Sequence, residues 1–329
     1  MKIIDLFSGI GGFSLGFQRA GFHFIEHYFS EIDKHAIANY KQNFPNAKYI
    51  GDITTIQPAD IAGADIITFG SPCVDFSIAG KRAGLAGAKS SLIQYAIALI
   101  AHVRPSVFIW ENVKGAFSTN SGADFWAILQ AFANIGGYRI EWQLLNTSWL
   151  LPQNRERIYL VGHLAGRSIP GIFPIGENDF VPTTKSKSQS QTQISGTIKA
   201  NGNMNLDDTY IIPKKAATLT GGGHSGGLHS DMTVIRQLPR GKNKGADLTI
   251  CPTISSNAFQ ENNLLCGIRR LTEIECERLQ GFPDNWTQYG NYNGTIKPIA
   301  KTQRYKLIGN AVTVDIVELI AKRLKIIKQ

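Results

Sequence analysis

The first half of the chain alternates short apolar runs with amphipathic stretches, and this alternation restricts the fold more than any other feature. Helices are expected between the runs, at 13–20, 34–43, 92–103 and 123–135, and a last one at 314–327. Strands are expected at 2–7, 24–30, 47–51, 65–69 and 106–110. Such alternation is typical of βαβ units with a mostly parallel sheet. Two later runs, "YRIEWQLLN" and "RIYLVGHL", predict a hairpin that closes the sheet.

Charge and composition separate the two halves of the chain. Its 329 residues carry a net charge of +9, and only +1 of that falls in residues 1–163. A basic C-terminal half is expected of a chain that meets a polyanion, although a solvated basic surface fits as well. Residues 183–203, "TTKSKSQSQTQISGTIKANGN", are polar and predict a loop or linker.

The cysteines and the N-terminus bear on the cellular compartment. Four scattered cysteines with no C-x-x-C spacing predict neither a disulfide framework nor a zinc site, so no metal is expected. No signal peptide is recognisable, and no run of about 18 apolar residues could span a membrane. We therefore expect a cytoplasmic protein without membrane association.

A glycine-rich loop, "DLFSGIGGF", follows the first strand and opens the first helix. Its spacing is not G-x-G-x-x-G, so it favours a nucleoside ligand over a dinucleotide. Glu31 and Asp52 follow the second and third strands, where carboxylates could accept from ribose hydroxyls and an adenine amino group. Each acid alone also fits a helix cap or a surface carboxylate.

A cysteine stands at the same predicted edge. Cys73 in "GSPCVDFSIAG" follows the fourth strand, and Glu111 in "WENVKG" ends the fifth. In "LPQNRERIYLVG", Gln153, Arg155 and Arg157 alternate and share one face of an extended segment. A thiolate, a carboxylate and a guanidinium beside a nucleoside site indicate a reaction centre.

With these motifs in order, the sequence resembles the C5-cytosine DNA methyltransferases, which use S-adenosylmethionine. The resemblance covers nearly the whole chain and is specific as an ordered set: "DLFSGIGGF", "GSPCVDFSIAGKRAGL", "SSL", "ENV", "QNRERIYLVG", "RRLTEIECERLQGFPDNW" and "KLIGNAV". It implies an α/β, Rossmann-like catalytic domain with helices on both faces and a small, irregular, β-rich target-recognition domain. The catalytic domain would comprise residues 1–175 and 298–329, and the recognition domain residues 176–297.

The resemblance also implies a catalytic set. Cys73 would attack C6 of a flipped-out cytosine, because C5 is otherwise too weak a nucleophile to take a methyl group. Glu111 would hold and protonate N3, and Arg155, with Arg157 nearby, would bind the carbonyl oxygen. The activity would be that of a DNA (cytosine-5-)-methyltransferase, releasing S-adenosylhomocysteine.

Cofactor contacts are carried over in the same way. Phe7 and Ile32 would pack on the adenine, Glu31 would bind the ribose, and Asp52 with Ile53 would recognise the adenine edge. The remaining expected cofactor residues are Gly9, Ile10, Gly11, Gly12, Gly70, Pro72, Leu92, Asn310 and Ala311.

DNA contacts are expected from the loop after Cys73 and from the basic segment before "RRLTEIEC". The residues are Ser77, Lys81, Arg82, Arg240, Lys242, Asn243, Lys244 and Thr253; for the basic segment a flexible turn also fits. The implied partner is double-stranded DNA. A cognate restriction endonuclease acting separately is a possible second partner, and a monomer associated with the nucleoid is expected.

Alternative functions fit parts of the pattern. A tRNA-directed relative would use the same catalytic residues, and a catalytically inactive DNA-binding relative would keep the fold. A nicotinamide-dependent oxidoreductase is disfavoured by the glycine spacing. Two positions depart from the family: Val74 replaces the usual glutamine, and Ile32 replaces a frequent aromatic residue.

Overall fold

A seven-stranded sheet organises the N-terminal half in this computed structural model, which describes residues 1–71, 92–117, 123–176, 235–237, 246–248, 263–265 and 269–327. The strands lie in the order β3-β2-β1-β4-β5-β7-β6, and β7 runs in the direction opposite to the other six. They comprise β1 (Lys2–Leu6), β2 (Glu26–Ser30), β3 (Lys48–Tyr49), β4 (Ile66–Gly70), β5 (Val107–Val113), β6 (Tyr138–Asn146) and β7 (Glu156–Leu164).

Helices cover both faces of this sheet, as expected from the sequence. The helices are α1 (Gly12–Arg19), α2 (Lys34–Asn43), α3 (Leu92–Val103), α4 (Ala123–Ala133), α5 (Glu273–Leu279), α6 (Lys301–Asn310) and α7 (Val314–Arg323). Phe108 and Trp110 of β5 belong to the buried cluster that includes α3 and α4. Val107 and Ile109 belong to the cluster that includes α1 and α7. Side chains alternate across a strand, so β5 is buried on both faces, which explains its continuous apolar run.

Helix starts follow local capping chemistry. The Asp33 side chain accepts from the main-chain nitrogens of His35 and Ala36 at 2.8 and 3.2 Å and so begins α2. Thr272 and Glu275 form a capping box that begins α5. Short side chains with an acceptor oxygen satisfy main-chain donors that have no partner in the first turn, which fixes where each helix starts.

The described residues form three further small sheets outside the large one. The pieces β9 (Ile235–Gln237), β10 (Ala246–Leu248), β11 (Asn263–Leu265) and β12 (Arg269–Arg270) form an antiparallel sheet in the order β10-β9-β11-β12. The hairpin of β13 (Tyr289–Tyr292) and β14 (Thr295–Pro298) follows α5. The last pair, β8 (Ser168–Ile169) and β15 (Lys325–Ile326), joins the C-terminus to the segment after β7.

Some element boundaries differ from those expected. The last helix ends at Arg323 rather than at residue 327, because residues 325–326 pair with β8 instead. Strand β3 has two residues rather than five. Strand β5 continues to Val113, so Glu111 lies within the strand, opposite Tyr159 of β7.

The segment from α5 to β14 packs against the N-terminal half, although the sequence places it in the recognition domain. The Asn39 amide donates to the carbonyl oxygens of Trp286 and Tyr289 at 2.8 and 2.9 Å. Phe282 shares a buried cluster with Phe29, on β2. The predicted boundaries of 176 and 297 stay predictions, and these contacts favour a second boundary near residue 271.

Candidate active site

The glycines of the first loop serve different purposes. Gly9 and Gly11 have φ of +52° and +84°, which favours glycine, and a Cβ on Gly9 would meet no described atom within 4 Å. A Cβ on Gly11 would lie 2.3 Å from the Phe44 ring, and one on Gly12 would lie 2.7 Å from Val312. Gly9 therefore faces open space where a ligand could approach, whereas Gly11 and Gly12 permit close packing within the protein.

Two side chains hold this loop from opposite sides. Glu31, at the end of β2, accepts from the Gly9 nitrogen through Oε2 at 2.8 Å. Its Oε1 accepts from the nitrogens of Ile32 and Asp33 at 2.8 and 2.9 Å. Trp286 donates from Nε1 to the Ile10 carbonyl at 3.0 Å. A carboxylate has about four acceptor positions, so Glu31 retains capacity for a hydroxyl donor.

The other expected cofactor residues of the first strands lie at the same edge. Asp52 accepts from the Thr54 nitrogen at 2.9 Å and so begins a 3₁₀ turn. This is the helix-capping role that the sequence analysis gave as an alternative to binding the adenine. Ile53 in that turn is buried, whereas the Ile32 side chain is 72% exposed. Phe7 directly follows β1, has a positive φ of 50° and is half-buried. An aromatic ring, an exposed aliphatic group and two carboxylates at successive strand ends fit an adenosine-type ligand.

Beneath the loop lies a buried polar network centred on Asp5. The Asp5 Oδ2 accepts from Ser14 and Tyr40 at 3.1 Å each, and Oδ1 accepts from Thr68 at 3.0 Å. The Nε2 of His27 lies 2.9 Å from the Ser14 hydroxyl and 2.8 Å from that of Tyr40. These groups join β1, α1, β2, α2 and β4 directly below the candidate cofactor loop.

The start of the segment that leads to Cys73 is anchored to β5. Ser71 is buried and accepts through Oγ from Trp110 Nε1 at 3.0 Å and from Asn112 Nδ2 at 3.1 Å. The same amide lies 3.2 Å from the Ser71 carbonyl oxygen and donates to it. Two donors from one strand thus fix the residue at which the cysteine segment leaves the sheet.

A carboxylate and a guanidinium lie together beside this anchor. Arg157 Nε is 3.2 Å from Glu111 Oε1, and the Glu111 side chain is only 11% exposed. A Cβ on Gly70 would lie 3.1 Å from Glu111 Oε2, so the glycine leaves room for the carboxylate. A cavity of about 250 Å³ opens next to the ion pair; its lining is Val113, Lys114, Gly115, Asn154, Glu156 and Arg157.

The alternating side chains of "QNRER" do not converge on one point. Arg155 donates to the carbonyl oxygens of Gly309 and Ala311 at 3.4 and 2.8 Å, and Gln153 donates to that of Leu279 at 2.7 Å. Among the described residues, Arg157 is the one that forms an ion pair with Glu111. The reason is that β7 begins at Glu156, so Arg155 precedes the strand and is directed towards the C-terminal segment.

Asn310 and Ala311, although far along the chain, lie where α6 ends. Asn310 is exposed and Ala311 is buried. Leu92 begins α3 and packs against the cluster of β4 and β5 side chains. Several expected residues fall outside the part of the chain that the structure describes: Pro72, Cys73, Ser77, Lys81, Arg82, Arg240, Lys242, Asn243, Lys244 and Thr253.

Four residues of the site were not expected from the sequence: Ser71, Trp110, Asn112 and Trp286. Each acts through a hydrogen bond between segments that are distant in the chain, and single-sequence patterns do not report such contacts. For the two tryptophans the sequence does indicate that a hydrogen bond is needed, because a buried indole N–H requires an acceptor, but it does not indicate which acceptor.

Comparison with known proteins decides which activity this geometry serves. The family described as C-5 cytosine-specific DNA methylase matches residues 1–326. The chain belongs to this family. It is a DNA (cytosine-5-)-methyltransferase, as the sequence resemblance predicted.

Named relatives agree over the full length. The chain is 31% identical to the Type II methyltransferase M.Bsp6I of Bacillus sp. (strain RFL6), over 98% of each protein. It is 33% identical to the Type II methyltransferase M.NgoBI of Neisseria gonorrhoeae, over 98% of this chain and 92% of that one. The S. pombe Dnmt2 methyltransferase structure has a TM-score of 0.58 at 20% identity and covers 97% of this chain and 96% of its own. That structural likeness confirms the fold.

Membership supports S-adenosylmethionine as the methyl donor. Among the described residues, no helix is long and apolar enough to cross a membrane. The same part of the chain contains no cluster of three His, Cys, Asp or Glu side chains that could bind a metal ion.

Proposed function

We propose that the chain methylates C5 of one cytosine within a specific double-stranded DNA sequence, through a covalent bond from Cys73 to C6. One observation carries this proposal: the Glu111–Arg157 pair lies at 3.2 Å beside Gly70 and Ser71, from which the chain continues directly to Cys73. A nucleophile, an acid and a cation are then supplied by the adjacent strands β4, β5 and β7.

The Cys73 thiolate would form a bond to C6, and the electrons of the C5–C6 double bond would make C5 nucleophilic. Glu111 would donate a proton to N3, so that negative charge does not accumulate on the ring. Loss of the C5 proton to a base after methylation would restore the double bond and release Cys73, and N3 would return its proton to Glu111. The cytosine must leave the base stack for this chemistry, at a cost of a few kcal/mol.

Arg157 is the arginine best placed to bind the cytosine carbonyl oxygen, since its guanidinium already contacts Glu111. A fixed positive charge there would also stabilise the thiolate and the developing oxyanion. Arg155, which was expected to fill this role, donates to the main-chain carbonyls of Gly309 and Ala311.

When bound, S-adenosylmethionine supplies the methyl group that C5 accepts. Glu31 would bind the ribose hydroxyls while it holds Gly9, and Asp52 and Ile53 would recognise the adenine edge. Phe7 and Ile32 would pack against the adenine faces. The remaining contacts would come from Ile10, Gly11 and Gly12 through the main chain, and from Gly70, Pro72, Leu92, Asn310 and Ala311.

Target recognition would come from residues 176 to about 271, together with the loop after Cys73. The C-terminal half of the chain carries most of the net positive charge, which supports phosphate contacts by its lysines and arginines, among them Arg240, Lys242 and Lys244. Relatives named Type II methyltransferases support a role in protecting DNA from a separate restriction endonuclease. We further propose that the enzyme acts as a cytoplasmic monomer.

The decisive experiment has two steps. Bisulfite sequencing of DNA from cells that express the chain should reveal one methylated sequence. A duplex with that sequence and 5-fluorocytosine at the target should form a covalent complex with the wild-type enzyme, because fluorine cannot leave as a proton does. The Cys73→Ser variant should form none. A full adduct with Cys73→Ser, or methylation of tRNA instead of duplex DNA, would refute the proposal.

A further inference from the structure

Arg155 is almost fully buried, and its guanidinium donates to two main-chain carbonyls. Its side chain is 3% exposed, and it donates to the Gly309 and Ala311 oxygens at 3.4 and 2.8 Å. These oxygens lie at the end of α6, where the last carbonyls of a helix have no partner within it. A guanidinium is suited to this position because it offers several donors in a fixed plane and because positive charge is favourable at a helix C-terminus.

The same segment is held from a second direction. Gln280 donates from Nε2 to the Ile308 carbonyl at 3.3 Å and accepts from the Thr313 hydroxyl at 3.1 Å. Thr313 also lies 3.0 Å from the hydroxyl of Thr147, just after β6. Residues 308–313 are therefore fixed on both sides of Asn310, whose own side chain is exposed.

We propose that Arg155 is a positioning residue for the cofactor pocket: it fixes the turn at 309–311 and thereby sets the place of Asn310. The inference rests on the proposed function, which assigns Asn310 and Ala311 to that pocket. Arg157, two residues further on, contacts Glu111. The start of β7 thus supports the cofactor segment through one arginine and the base site through the next.

Binding of S-adenosylhomocysteine to the full-length enzyme, measured by titration calorimetry, tests this division. Arg155→Lys keeps the charge but cannot satisfy two carbonyls in a plane. It should raise the dissociation constant of S-adenosylhomocysteine about tenfold, the size expected for one lost hydrogen bond to a charged group. The KM for S-adenosylmethionine should rise with it, while kcat and the affinity for DNA change little.

Arg157→Lys gives the contrasting result. It should lower kcat and leave the dissociation constant of S-adenosylhomocysteine unchanged, since its partner is Glu111. If Arg155→Lys instead binds S-adenosylhomocysteine as the wild type does and loses kcat, Arg155 acts on the base and the proposal is overturned.

Gln143→Ala is the matched structural control. Gln143 also holds a distant segment by two hydrogen bonds, to the Ile175 nitrogen and carbonyl at 2.7 and 2.8 Å, but on the edge strand β6. This variant should lower the melting temperature without changing the affinity for S-adenosylhomocysteine. An equal loss of affinity in Gln143→Ala would show that any destabilisation has this effect, and would count against the proposal.

Two further variants keep the test decisive. Gln280→Met removes the second attachment of the segment and should weaken S-adenosylhomocysteine binding as well; unchanged binding overturns the proposal even where Arg155→Lys folds poorly. Asn310→Ala distinguishes an error in the proposed pocket from an error in the role of Arg155. If it leaves the affinity unchanged, the assignment of Asn310 to the pocket is wrong; if it weakens binding while Arg155→Lys does not, only the positioning role fails.

Discussion

The Asp5 carboxyl group is buried in the core and accepts hydrogen bonds from the hydroxyl groups of Ser14, Tyr40 and Thr68. Burial raises the pKa of Asp5 to about 7; hydrogen bonds from Thr68, Ser14 and Tyr40 act against this, and the charge of Glu31 adds to it. Burial lowers the pKa of His27, in the same network, to about 4. The two groups are thus shifted in opposite directions, and both favour the neutral form.

Opposite shifts predict opposite effects on stability. The folded state keeps a proton on Asp5 between pH 3.8 and about 7 that the unfolded chain has lost, so this contribution falls as pH rises. The folded state lacks a proton on His27 between about pH 4 and 6.5, so that contribution increases with pH. In the wild type the two largely cancel over the shared range.

Single variants should therefore reveal each dependence. The free energy of unfolding of Asp5→Asn should increase as the pH rises from 4 to 6.5, because only the His27 contribution remains. That of His27→Gln should decrease as the pH rises from 4 to 7. Both slopes should approach about 1.4 kcal/mol per pH unit. Urea unfolding at closely spaced pH values measures both. Parallel curves for the two variants would contradict the shifts.

The two arginines of "QNRER" show how far a residue can be assigned from sequence. The motif predicted a guanidinium near Glu111, and the structure has one there. Which arginine supplies it depends on where β7 begins, because the alternation of side chains holds only within the strand. That start is set by pairing with β5 and β6, and these contacts are not visible in the local pattern.

At the scale of elements, β5 supports the cysteine segment through Ser71. Ser71→Ala would deprive the Trp110 indole and the Asn112 amide of this acceptor in a buried site, which costs about 1–3 kcal/mol. The freed segment should also reduce kcat by about tenfold to a hundredfold through misplacement of the nucleophile. Melting temperature and single-turnover rate measure the two effects.

Ser106→Ala is the control for that variant. Ser106 is also buried but precedes the other end of β5, so its replacement should leave the single-turnover rate unchanged. A Ser71→Ala enzyme with the wild-type rate would show that the cysteine segment is positioned by other contacts.

Element types were predictable from periodicity, whereas their ends depended on partners. The helix predicted at residues 314–327 forms as far as Arg323. Beyond it, Lys325 pairs with Ile169, so residues 325–326 form a short strand instead. A Cβ on Gly16 would lie 2.6 Å from Val317, so this glycine permits the close approach of α1 and α7.

At the scale of the whole molecule, residues near the C-terminus pack against the helices and loops of the N-terminal half. Trp286 donates to the Ile10 carbonyl in the candidate cofactor loop. Arg304 donates to the buried carboxylate of Glu277 at 2.9 Å, and Glu277 also accepts from the Thr287 hydroxyl, which joins α5 to α6. The sequence predicted that the chain returns to the N-terminal domain at the segment containing "GNAV". The contacts of residues 273–299 show that α5 and the β13–β14 hairpin also pack against that domain.

This architecture predicts how the chain divides into parts. A fragment of residues 1–176 leaves Phe13 and Phe17 of α1 without the α7 side chains that cover them, and it should neither fold stably nor bind S-adenosylhomocysteine. Mixed with residues 269–329, it should fold and bind S-adenosylhomocysteine without sequence-specific DNA binding, because residues 177–268 are missing. Circular dichroism and calorimetry follow both properties. A second fragment carrying Trp286→Ala should assemble less well, whereas full binding by residues 1–176 alone would show that the C-terminal segment is dispensable for the pocket.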